Sequence, residues 1–179
     1  MKIRFLILII FIFSCSNSKV EKITEKEIFP DMTQKNYEHF IYKNGKKYLY
    51  TKIDFAKFFD KKNKIECESI YAIVYNSKGE KKAEINADYS YIDQETKNVT
   101  FKGNIKIKMI EEKATLYTEE LFLNYKDNKM SSNTEIFIEK EDGSYLKASS
   151  MESDINKQDT SFNNLELKYY YEDNTNDKK

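Results

Sequence analysis

The chain has little of what most catalytic and nucleic-acid-binding proteins use. One proline and four glycines in 179 residues rule out a collagen-like or Pro/Gly-rich low-complexity chain. His39 is the only histidine and lies far from Cys67, so no cluster has zinc-ligand spacing. Cysteine is confined to Cys15 and Cys67; once Cys15 is committed as argued below, Cys67 has no disulfide partner and reads as a small buried apolar side chain. Arginine occurs once, at Arg4, and acidic and basic residues balance at 30 each, which removes the electrostatic case for nucleic acid binding. No Gly-rich phosphate loop or serine-nucleophile motif is present. Glu119 and Glu120 sit among many solvated charges, not in a paired-carboxylate setting. The sequence therefore offers no catalytic residue, metal ligand or cofactor site, and an enzyme is not expected.

What is there begins at the N-terminus. Lys2 and Arg4 precede nine large apolar residues, Phe5 to Phe13, and then Ser14 and Cys15. As a helix, nine residues rise only ~13.5 Å against a hydrocarbon core of ~30 Å. The pattern reads as a secretory signal over residues 1–14, with Ile12-Phe13-Ser14-Cys15 resembling a lipobox and Cys15 the lipidation site. Two or three acyl chains on one cysteine, each buried CH₂ contributing ~0.8 kcal/mol, make a firm anchor. The competing reading is an uncleaved signal anchor with Cys15 as a passenger. Without Lys2 and Arg4 the remainder carries 28 lysines against 30 acidic residues, a formal charge of −2. Residues 15–35 are polar and aperiodic and read as the lipidated cysteine and a tether; residues 172–179 read as a disordered polar tail.

Between them, turn-like clusters recur about every sixteen residues, near Gly45, Lys62, Gly79, Thr96, Glu112, Asp127, Asp142 and Gln158. The gaps are filled with β-branched and aromatic residues alternating with polar ones. Val99, Phe101, Ile105, Ile107 and Met109 alternate with Thr100, Lys102, Asn104, Lys106 and Lys108, one face greasy and one charged, as for a sheet with a single buried side. This predicts an all-β fold, a meander of about eight or more long antiparallel strands over residues 36–171. The apolar positions also step by two, three and two: Ile85, Ala87, Ser90, Ile92; Leu116, Thr118, Leu121, Leu123; Leu146, Ala148, Met151, Ser153; and, more weakly, Thr51, Ile53, Ala56, Phe58. One extra residue in a strand produces such a step, so bulges are expected near Asp54, Tyr89, Glu120 and Ser150, coiling the meander into a trough.

The stretches Asn44-Gly45-Lys46-Lys47-Tyr48-Leu49, Ile70-Tyr71-Ala72 leading to Asn76-Ser77-Lys78-Gly79, Ile85-Asn86-Ala87-Asp88, Phe101-Lys102-Gly103-Asn104-Ile105 and Leu116-Tyr117-Thr118-Glu119-Glu120-Leu121 resemble, in order and spacing, the LptC family of lipopolysaccharide export. The resemblance spans roughly Tyr37 to Leu167. Typical members carry a transmembrane anchor where this chain has Cys15, and often a Trp where Leu49 stands. The resemblance implies a β-jellyroll with an open hydrophobic interior and no catalytic residues. It implies a protein on the periplasmic side of the inner membrane that takes lipopolysaccharide or a related glycolipid from an Lpt ABC transporter with LptF/LptG-type subunits. The lipid then passes to an LptA-type jellyroll docked through an edge strand. Ser16, directly after Cys15, points instead to outer-membrane sorting.

On this reading the trough wall is Ile85, Ile92, Val99, Phe101, Ile105 and Ile107, continued by Leu116, Leu121, Leu123, Ile136 and Ile138, and completed by Leu146, Met151, Leu165 and Leu167. No second sheet or amphipathic helix is evident in the sequence to cover it. The last strand, about Thr160 to Tyr171, is the candidate docking edge. A structural or adhesive surface lipoprotein, using the meander as a scaffold, is the alternative, and a polymerising bridge subunit of the same jellyroll type is a third.

Overall fold

The computed structural model describes residues 29–157 and 159–170; the proposed signal, Cys15, most of the tether and the polar tail lie outside them. The described chain is a single antiparallel sheet that follows sequence order. Six long strands open it: β1 (Met32–Lys43), β2 (Lys46–Phe59), β3 (Lys64–Tyr75), β4 (Lys81–Asp93), β5 (Asn98–Met109) and β6 (Ala114–Asn124). Three further ribbons follow, each of two short strands in line: β7 (Lys129–Ser132) with β8 (Ile136–Lys140), β9 (Tyr145–Ala148) with β10 (Ser150–Asp154), and β11 (Asp159–Asn163) with β12 (Glu166–Lys168). Reversals fall at or beside all eight expected positions, so the ribbons number nine. The all-β, jellyroll-like architecture is the expected one.

The turns repeat because their chemistry does. After β4, β6 and β10 the last residue is Asp93, Asn124 or Asp154, and its side-chain oxygen accepts two backbone N–H bonds of 2.9 to 3.2 Å from the next turn. These bonds hold the Asp93 and Asp154 carboxyls below the usual carboxylate range. Asn44 and Gly45, both at positive φ, supply the tight hairpin between β1 and β2.

A second line of irregularity crosses the sheet at mid-strand. Ladder pairing is interrupted at Asn36, Asp54, Ser69, Asp88, Gly103–Asn104 and Glu119. In the split ribbons the gaps between the half-strands continue it. Asn36, Ser69, Gly103, Asn104 and Asn164 on this line have φ between +47° and +76°. The crease divides the ribbons into two walls. The first contains residues 37–43, 46–53, 70–75, 81–87, 105–109 and 114–118 with β8, β9 and β12; the second contains 32–35, 55–59, 64–68, 89–93, 98–102 and 120–124 with β7, β10 and β11.

The walls fold toward each other. In the β1–β2 ladder Tyr37 stands opposite Ile53 and Met32 opposite Phe58, so a flat ribbon would set Tyr37 and Phe58 about 16 Å apart along the strand. Their ring centroids are 6.1 Å apart, edge to face.

Two expectations are corrected here. The bulges do not lie one in each of the strands carrying Asp54, Tyr89, Glu120 and Ser150. At the crease the ladder register shifts between Asn86 and Tyr89 and between Lys102 and Ile105, and in both cases the extra residue belongs to β5. Gly103 and Asn104 there accept the left-handed backbone that a bulge needs. Opposite Asp54 the register continues unchanged. The two-three-two step marks a corner turned by the backbone. The tether boundary at residue 35 is also too late, since β1 starts at Met32 and the Asp31 N–H already donates to the Phe58 carbonyl at 2.8 Å. Edge pairing needs backbone groups only, so Lys35 and Asn36 give no apolar signal.

Gly103 is where the crease is tightest. A Cβ there would stand 2.7 Å from Asp88 Oδ2 at a φ of +76°, while Asp88 Oδ2 accepts the Asn104 side-chain amide at 2.7 Å. Gly45 has the same φ with nothing within 4 Å. Gly103→Ala is therefore expected to cost about 2–3 kcal/mol and Gly45→Ala about 1 kcal/mol, read as a difference in urea midpoints at equal slope.

Candidate functional site

The inward rows of both walls are apolar, and their exposure is graded. Of the fifteen trough candidates, Ile105, Ile107, Leu116, Leu121, Ile136 and Met151 are buried, and all six belong to one packed cluster. Ile85, Ile92, Val99, Phe101, Leu123, Ile138 and Leu146 are half-buried. Leu165 and Leu167, on the last ribbon, are 47% and 46% exposed. Toward the other edge the inward row of β1 opens in the same way, with Tyr37 half-buried and Ile41 38% exposed. The middle of the trough is filled by side chains and its two ends are open.

A sheet with no second layer among the described residues leaves one face wet. Ile136 at 0%, Ala56 at 0% and Ile105 at 1% therefore owe their burial to the opposite wall. Phe101 packs against both the main cluster and a second one formed by Ile53, Ala56, Cys67 and Ile70, joining the two along the trough.

Of that second cluster Cys67 was read as buried and Ile53 and Ala56 as apolar steps, but none was placed on the trough wall; nor were Ala72, Ala87, Ala114, Ala148, Thr118 and Ser132, all buried. Most of them flank the crease: Ile53 with Ala56, Cys67 with Ile70, Ala87 with Ser90, Thr118 with Leu121, Ala148 with Met151. At the corner the two walls converge and there is room only for small side chains, so the pattern alternates small with large instead of polar with apolar. The two-three-two step, which runs through Ile53, Ala56, Ala87, Thr118 and Ala148, is the sequence signal of this corner. The polar members are satisfied locally: Thr118 Oγ1 lies 2.9 Å from Thr134 Oγ1 and 3.2 Å from Ser132 Oγ, and donates to the Glu135 carbonyl at 2.9 Å. This hydroxyl knot lets the ribbon break between β7 and β8 with no buried side-chain polar atom left unpaired among the described residues.

Burial pushes the Cys67 thiol up to about 11, so it stays protonated and packs as a small apolar group. His39 is exposed and stacks on Tyr37, centroids 6.0 Å apart. Among the described residues no three His, Cys, Asp or Glu side chains converge on a possible metal position. Cavities of about 270 and 410 Å³ lie outside the trough, one lined by Lys108, Thr115 and Glu139 and the other by Lys52, Asp54, Tyr71 and Asp88. They are open surface clefts of mixed lining, and no trough candidate lines either. Among the described residues no helix is long and apolar enough to cross a membrane. The expected lipidation site, Cys15, lies outside the described residues.

The last ribbon is a sheet edge, as expected, with β11 closing the second wall and β12 the first. The opposite edge is β1, twelve residues long, which the sequence reading did not single out as an edge.

A comparison with curated proteins found no match to the chain. The family model described as "Lipopolysaccharide-assembly, LptC-related" matches residues 3–161, nearly the whole chain and every complete ribbon but the last. With the graded apolar trough and the single creased sheet, this shows that the chain belongs to the LptC-related family, a periplasmic, inner-membrane-associated component of lipopolysaccharide transport.

Proposed function

We propose that this chain carries lipopolysaccharide, or a related amphipathic glycolipid, along the trough between its two walls. It accepts the lipid from an inner-membrane ABC transporter with LptF/LptG-type subunits and hands it to an LptA-type jellyroll. Cys15 anchors it by its acyl chains on the periplasmic side of the inner membrane. The observation that carries the reading is the inward apolar surface, continuous from Ile41 on β1 to Leu167 on β12 and exposed at both ends. Exposing a fourteen-carbon acyl chain to water costs on the order of 10 kcal/mol at ~0.8 per CH₂, so a carrier needs this kind of surface and no chemistry.

The filled centre sets a condition. Ile105 and Ile136 on the first wall pack in one cluster with Leu121 and Met151 on the second, so loading requires the walls to part about the crease, where ladder pairing is already interrupted. Site-specific photocrosslinking tests the path. A photoreactive residue at Phe101 or Ile107 is expected to capture labelled lipopolysaccharide in membranes containing the transporter, and one at Thr100 or Lys102, on the outer face, is not. Equal capture on both faces, or none on the inner, would leave a β-scaffold lipoprotein as the better account.

Delivery needs a docking edge. The last ribbon offers unpaired backbone groups beside Leu165 and Leu167, and Tyr170 is tied back by its N–H donating to Ser144 Oγ at 3.0 Å. Proline at an edge removes a donor without breaking internal ladders. Leu165→Pro and Leu167→Pro are expected to fold and to lose binding to the LptA-type partner; intact binding by both removes this edge from the path.

A further inference from the structure

The hairpin joining β1 to β2 departs from the rest of the chain. Over the whole sequence acidic and basic residues are equal in number, yet residues 39–53 hold four lysines and no aspartate or glutamate. The same stretch carries Phe40, Tyr42, Tyr48 and Tyr50, of which the first three are 42%, 59% and 47% exposed. Lys47 Nζ stands 5.6 Å from the Phe40 ring centroid and Lys43 Nζ 5.5 Å from that of Tyr48. The tip is braced: Asn44 and Gly45 close a two-residue turn, and Lys46 Nζ donates to the Ser77 carbonyl at 2.8 Å. It is a short, stiff prong of rings and ammonium groups.

Tyrosine and phenylalanine with flanking lysine suit the headgroup level of a bilayer, where one end of each side chain is apolar and the other wet. The absence of any carboxylate between Glu38 and Asp54 makes the prong complementary to an anionic surface. Ring faces covered by the chain's own lysines are poorly placed to stack on a sugar. By contrast, lysines of the second wall meet carboxylates, as in Lys57–Glu68 at 3.0 Å and Lys102–Glu120 at 2.8 Å.

We infer that the β1–β2 hairpin, through Tyr42, Tyr48, Lys43, Lys46 and Lys47, docks the domain on the headgroup region of a bilayer containing anionic phospholipid. This fixes the orientation of the sheet on its membrane. It is independent of what the trough carries.

The test uses the full chain reconstituted in vesicles of phosphatidylcholine alone or with phosphatidylglycerol. A fluorophore is placed on Ser77→Cys, beside the prong, or on Glu95→Cys, at a second-wall turn, with the unsubstituted chain as the labelling blank. Lipid-borne quenchers are expected to quench the Ser77 position in anionic vesicles well above the Glu95 position, and not in neutral vesicles. Replacing Lys43, Lys46 and Lys47 together by Gln should lower the docking equilibrium on the order of a hundredfold, with the circular dichroism melt unchanged. Equal quenching at both positions, none at Ser77, or quenching indifferent to the lysines would overturn the inference. So would a prong that binds a purified transport partner through these side chains and ignores lipid. Crosslinking of lipopolysaccharide from Phe101 is read separately, so either proposal can fail without the other.

Discussion

Ile136→Ala is expected to cost about 4 kcal/mol of unfolding free energy, the upper part of the range for a truncated core residue. Ile136 begins β8 directly after the hydroxyl knot, is 0% exposed, and pairs with Ala148 across the ladder. Its neighbours are held by ladder hydrogen bonds and cannot collapse into the space, so the cavity persists and adds to the lost transfer energy. A domain of this size is stable by roughly 5–15 kcal/mol, so the loss is a large fraction of the total and should lower the melting temperature by about 8–16 °C. Val99→Ala, at a half-buried position near the turn end of the second wall, should cost about 1 kcal/mol. Calorimetry or urea unfolding of the two variants measures the gradient. Equal losses would mean that packing does not thin from the crease toward the turns.

The same gradient explains how far the sequence could be read. Turns were legible because their chemistry is local: Asp93, Asn124 and Asp154 each bond the next backbone N–H groups whatever the rest of the chain does. The greasy face was legible in β5, where Ile105 and Ile107 alternate with Lys106 and Lys108. At the corner the burial of Cys67 was legible and Ala56, Ala87 and Thr118 showed the step, but its cause was not legible, because two distant walls converge there, a property of no single strand. Nor was the depth of packing. Leu167 and Ile107 look alike in sequence, yet one is on an edge ribbon and the other has neighbours on both sides. Met32 to Lys35 were assigned to the tether for a related reason, because an edge strand can join by its backbone alone.

Stapling the walls should abolish loading. Tyr37 and Phe58 are the clearest contact across the crease, one on each wall with ring centroids 6.1 Å apart. Cysteines at both positions, joined by a short reducible bis-thiosulfonate linker, hold β1 and β2 in the folded arrangement. Cys67, at 2% exposure with its thiol kept protonated by burial, is a poor competitor for the reagent, and Tyr37→Cys alone controls for reaction elsewhere. If lipid enters only when the walls part, apparent affinity scales with the population of the open form. A staple that removes that population should cut photocapture of lipopolysaccharide at Phe101 by on the order of tenfold or more, with full recovery on reduction. The stapled protein should also melt at a higher temperature, because the link constrains the unfolded chain. Higher stability with capture undiminished would mean that lipid never passes between these walls at the β1–β2 end. Entry would then have to occur nearer the last ribbon, where Leu165 and Leu167 are already open to solvent.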